Sequence, residues 1–94
     1  MEKLVAGRIV HYVLSESDAK EINHDREAYP CRKGNFVSVG QTYPMIIVRV
    51  WESESAGSGV NGQVILDGND SYWACSRPYD PGGRPGTWHW SLRE

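Results

Sequence analysis

The residues best able to do chemistry gather late in the chain. Trp51, Tyr72, Trp73, Arg77, Tyr79, Arg84, Trp88, His89 and Trp90 interleave aromatic rings with guanidinium groups. A ring face stacks on a nucleobase, and a planar guanidinium pairs with phosphate oxygens, so this composition suits a small anionic, nucleotide-like ligand. Beyond Lys33 every basic residue is an arginine, namely Arg49, Arg77, Arg84 and Arg93. That bias favours a local anion or planar-ligand site over a diffuse positive field. The expected ligand-binding set is Arg77, Tyr79, Arg84, His89, Trp73 and Arg49. Each member has a competing structural reading. Trp88 and Trp90 share a face of an extended chain and would fill a core, Trp73 is open to the same reading, and a lone strand histidine such as His89 or His11 is commonly structural.

Other chemistries find no support. Asp67, Asn69 and Asp70 lack the spacing and distal carboxylate of a calcium loop, so they read as a hairpin turn. Cys31, Cys75, His24 and His89 show no diagnostic metal-pair spacing, and no metal or cofactor is expected. There is no G-x-S-x-G, P-loop, H-E-x-x-H or Gly-rich dinucleotide turn, and Ser76 and Ser91 have no identifiable base. A non-enzymatic role is the expectation.

The elements that must position these groups fit one small domain. The chain has 94 residues, room for one modest core. A 39% hydrophobic content, with four Trp and five Tyr, separates it from disordered sequences. A net charge of −2 argues against general nucleic-acid binding, since counterion release needs a basic surface. The two cysteines signal no disulfide framework, and no stretch is apolar and long enough to enter a membrane, so reduced thiols in a cytoplasm are expected.

Residues 7–14 (GRIVHYVL) predict a first strand. Residues 15–27 predict one or two helical turns, weakly held, with Ser15 or Ser17 as N-cap and only Ala19 and Ile22 as apolar anchors. A loop follows, then a short strand at residues 36–39. Residues 43–51 (YPMIIVRVW) form the strongest strand, apolar enough to be buried on much of both faces. A polar loop at 52–59 precedes a strand at 60–67 with Val60, Val64 and Leu66 inward. After the turn at 67–70, residues 71–77 place Trp73 and Cys75 on one face and Tyr72, Ala74 and Ser76 on the other. Residues 78–86 (PYDPGGRPG) are irregular, and 87–90 return as a last strand with Trp88 and Trp90 opposite His89. This pattern predicts a mainly β domain, a small antiparallel SH3-like barrel of five or six strands with a helical insertion at about 15–40. A two-layer sheet with a short helix across one face is the alternative.

The blocks GRIVHYVL, YPMIIVRVW, VNGQVILDGND, YWACS and PGTWHW, in this order, resemble a family of small proteins encoded in tailed phages and prophages. The strand order also resembles the SH3-like barrels of KOW and Tudor modules. The phage resemblance implies a bacterial host cytoplasm and supplies no activity. Small phage proteins of this size include sponges that sequester immune signalling nucleotides, and by that analogy an aromatic and arginine-lined pocket would capture such a ligand. Homo-oligomerisation is expected with it, because a barrel this small has little interior left for a ligand. A protein-protein interaction module, or a minor virion or assembly component, is the competing expectation.

Overall fold

Residues 4–28, 34–51 and 59–90 are described by a computed structural model. The β-branched and aromatic stretches form β1 (Ile9–Val13), β2 (Thr42–Val50), β3 (Val60–Ile65), β4 (Ser71–Arg77) and a short β5 (Trp88–His89), with one helix, α1 (Glu16–Ala28), between β1 and β2. Every strand pair is antiparallel, and the sheet order is β4-β3-β2-β1-β5. The fold is mainly β as expected, but the five-stranded sheet does not close into a barrel. An isolated parallel bridge joins Tyr79 to Trp88 on the β5 edge. Most of the expected loops at 29–35 and 52–59, together with Cys31, Arg93 and Ser91, lie outside the described residues.

Alternation places Val10, Tyr12, Met45, Ile47, Val64 and Ala74 on one face of the sheet, all buried. Trp88 joins them from β5, and α1 adds Ala19 and Ile22 to complete the core. Gly62 lies between Ile47 and Ala74 on neighbouring strands. A Cβ there would stand 2.6 Å from Met45 Cγ and 2.8 Å from the Ile46 carbonyl oxygen. The glycine thus lets Met45 lie flat across the middle of the sheet.

The helix is a full 13 residues, longer than its two apolar anchors predict. Ser15 is the N-cap: its hydroxyl accepts from the Asp18 N–H at 3.1 Å, and Asp18 Oδ2 accepts from the Ser15 N–H at 3.0 Å. This reciprocal pair satisfies two N-terminal donors and starts the helix sharply. The inward stripe then runs Asp18, Ala19, Ile22 and Arg26, a helical spacing in which two positions are charged. Arg26, with no exposed side chain, donates to both Asp70 carboxylate oxygens and to the Asn35 carbonyl, anchoring the helix to the β3–β4 hairpin.

No strand forms at residues 36–39. Instead Asn23 Nδ2 donates to the Val37 carbonyl and Asn23 Oδ1 accepts from the Val37 N–H, each at 2.8 Å. One side-chain amide takes the place of a neighbouring strand. Val37 is buried by this docking, whereas Phe36 and Val39 are exposed.

The strong run in β2 is also buried differently from expectation. Met45 and Ile47 enter the core, but Ile46 and Val48 are exposed on the opposite face, which α1 does not cover.

Candidate functional site

The two faces of the sheet receive the expected site residues unequally. Arg77 goes to the helix face. In strict alternation it would share the open face with Trp73, but the β3–β4 register shifts between Val60 and Gly62, and Ser76 adopts a left-handed φ of 55°. That bulge adds a residue to β4 and turns Arg77 inward. Asn61 holds the distortion: its Oδ1 accepts from the Ser76 N–H at 2.6 Å and from Trp51 Nε1 at 3.2 Å.

Inside, Arg77 meets Asp18. Its guanidinium donates to Asp18 Oδ1 at 2.9 Å, while Tyr72 Oη donates to the same oxygen at 2.8 Å and Tyr12 Oη donates to Oδ2. Burial alone would raise the Asp18 carboxyl, but the hydrogen bonds from Tyr12, Ser15 and Tyr72, with the Arg77 charge, hold it below its ordinary value. Burial, together with the bond to the Asp18 carboxylate, pushes the Tyr12 and Tyr72 hydroxyls far upward. Asp18 is a saturated, buried anion. Such a group fixes geometry and offers no free lone pair for general-base work.

The other expected residues disperse. Tyr79 packs on Trp88 with ring centroids 4.8 Å apart, at the β5 edge. Arg84 is exposed in the loop before β5, 3.5 Å from Asp80. Arg49 stacks over the Trp51 ring at 4.1 Å. His89 lies on the open face beside His11, with the rings edge to face at 5.7 Å. Burial and the neighbouring His11 lower its pKa, against a smaller opposing pull from Asp80. Trp73, for which core burial was a standing alternative, is 44% exposed on the open face. Its tryptophan partners Trp88 and Trp90 do take the opposite side from His89, with Trp88 buried and Trp90 packed against it at 5.3 Å.

The expected set therefore meets in no single pocket within one chain. An open groove of about 490 Å³ lies elsewhere, between α1 and residues 37–39, and is lined by Lys20, Asn23, His24 and Val37 among others. Among the described residues no group of three His, Cys, Asp or Glu side chains is placed to hold a metal ion. No described helix is long and apolar enough to cross a membrane.

The feature that sequence reasoning missed is the open face itself. Cross-strand register aligns Ile9, Ile46, Gln63 and Trp73 in one row over four strands. Ile65 stands two residues along β3 from Gln63, and Val48 two along β2 from Ile46. Ile9 is 55%, Val48 48%, Ile65 42% and Ile46 37% exposed, so the face is largely apolar with water on one side, and the half-buried Gln63, whose Oε1 accepts from the Ser71 hydroxyl at 2.8 Å, is the polar member of the row. The sequence signal of this face was the near-continuous apolar run of β2, which asks for cover on much of both faces while a single short helix can cover one. The chain matches no protein-family model, no curated protein and no solved structure.

Proposed function

We propose that this protein is a non-enzymatic binding module that presents the open sheet face, centred on Ile46 and Trp73, to another protein chain. The carrying observation is the exposed apolar row Ile9, Ile46 and Trp73 with Val48 and Ile65 beside it. A largely apolar exposed surface of this kind on a small domain marks interaction sites. Photo-crosslinking in living cells tests it. A photoreactive residue at position 46 is expected to give a discrete protein adduct that Trp73→Glu suppresses, whereas one at position 25, on the exposed side of α1, gives none. Absence of an adduct at 46, or equal adducts at both positions, counts against the reading.

A second reading, capture of a nucleotide-like ligand such as an immune signalling nucleotide, is favoured by the Arg49 guanidinium carbon standing 4.1 Å from the centre of the Trp51 ring. Such a stack leaves an outer π surface for a base and a nearby cation for phosphate. Calorimetry with linear and cyclic nucleotides tests it, and no heat from any of them removes it. The phage or prophage setting and a host cytoplasm are part of the proposal, supported by the order of the sequence blocks. The fold reads in the same way as an opened SH3-like barrel, supported by the strand order and the Tyr79–Trp88 bridge.

A further inference from the structure

We infer that the partner of the open face is a second copy of this chain, packed sheet on sheet about a two-fold axis near Ile46. The inference rests on the docking reading above and specifies its occupant.

Charge placement supports it first. Among the described residues the β1–β4 patch around Ile46 carries no acidic side chain, because the acids lie on α1 and in the β3–β4 turn, while Asp80 borders the face only at the β5 edge, beside His89. Its one permanent charge, Arg49, sits toward one end of β2 and is already stacked on Trp51. A chain with net charge −2 has thus left one face on which two copies meet without opposed carboxylates. An isologous contact sets a patch against itself, so a neutral apolar patch is self-compatible where a charged one is not.

Area supports it second. Strands lie about 4.8 Å apart and rise about 3.3 Å per residue, so the described face covers roughly 20 by 25 Å, about 500 Å². Two such faces bury about 1,000 Å² in all, the lower limit for a specific interface. Twisted sheets stack about 10 Å apart with strands crossing near 30°, and β2 is then covered on both sides as its sequence requires. The association is correspondingly weak, with a dissociation constant of roughly 10–100 μM.

Sedimentation equilibrium of the full chain over about 1 μM to 1 mM reads this directly. The expected result is a weight-average mass rising from 10.6 kDa toward twice that value. Ile46→Glu places a carboxylate on both copies at the axis and is expected to weaken association at least about 100-fold, with the circular-dichroism spectrum unchanged. If that variant fails to fold, Trp73→Lys replaces it, since Trp73 is largely outside the core. Asp25→Lys, on the exposed side of the helix, is expected to leave the mass curve unaltered. A wild-type chain that stays monomeric throughout overturns the inference, as does a dimer indifferent to both face substitutions. A monomeric chain that still forms a heterologous adduct at position 46 in cells removes the second copy and leaves the docking reading standing.

Discussion

One face of the sheet is buried and partly polar, and the other is apolar and open. Beneath α1 the buried groups include Asp18 and Arg26, both without exposed side chain, held by tyrosine hydroxyls, Arg77, Asp70 and the Asn35 carbonyl. On the other side Ile9, Ile46, Val48 and Ile65 stand in water. The contrast shows that side-chain class did not decide burial in this chain. A charged group enters where its hydrogen bonds are completed, and an apolar one stays out where the fold supplies no cover.

The sharpest way to break the comparison is to remove the centre of the polar side. Asp18→Ala leaves the Arg77 guanidinium and the Tyr12 hydroxyl without their acceptor and Tyr72 with only Glu21 Oε2, and a loss of about 3–5 kcal/mol is expected in denaturant unfolding. The same cluster sets the pH limits of stability. Asp18 is held below 3.8 in the fold, so its contribution is complete above that value and disappears as pH falls through the lowered one. Tyr12 and Tyr72 titrate above their ordinary 10.0, so their contribution is complete below pH 10 and declines as pH rises beyond it. Unfolding midpoints are expected to drop at both extremes, and Asp18→Asn is expected to flatten the acid limb.

A smaller effect tests the packing between the faces. Gly62→Ala pushes a methyl against Met45 and the Ile46 carbonyl, and about 1–3 kcal/mol of destabilisation is expected, read by thermal melting. The smallest effect belongs to the open face. Ile46→Thr is expected to change the stability of the dilute monomer by less than about 0.5 kcal/mol, which sharpens the comparison because an equivalent change at Met45 removes core volume.

Much of the sheet was legible beforehand because alternation is a local signal. The inward placement of Val60, Val64 and Leu66, the turn at 67–70 and the opposition of His89 to Trp88 all appear in the structure. The alternative of a helix across one face describes the result better than a closed barrel does. What escaped depends on partners distant in the chain. Asp18 and Arg26 read as solvent-facing because their acceptors and donors come from β1, β4 and the β3–β4 hairpin. Arg77 read as a surface ligand group because the bulge that redirects it depends on the side chain of Asn61, on another strand. The strand expected at 36–39 fails because its apolar residues find a helix side chain, Asn23, where a strand edge was anticipated. The candidate site shared this weakness. Its arginines and aromatics are close in sequence, yet β4 and β5 stand at opposite edges of the sheet and carry Trp73 and His89 apart.

The two bonds between Asn23 and the Val37 backbone tie the fate of a connecting segment to that of α1. Because the Val37 amide proton is sequestered by the helix rather than by a strand, its exchange with solvent deuterium follows detachment of α1 and not fraying of the sheet. One backbone position outside all regular structure therefore reports when the cover lifts from the core.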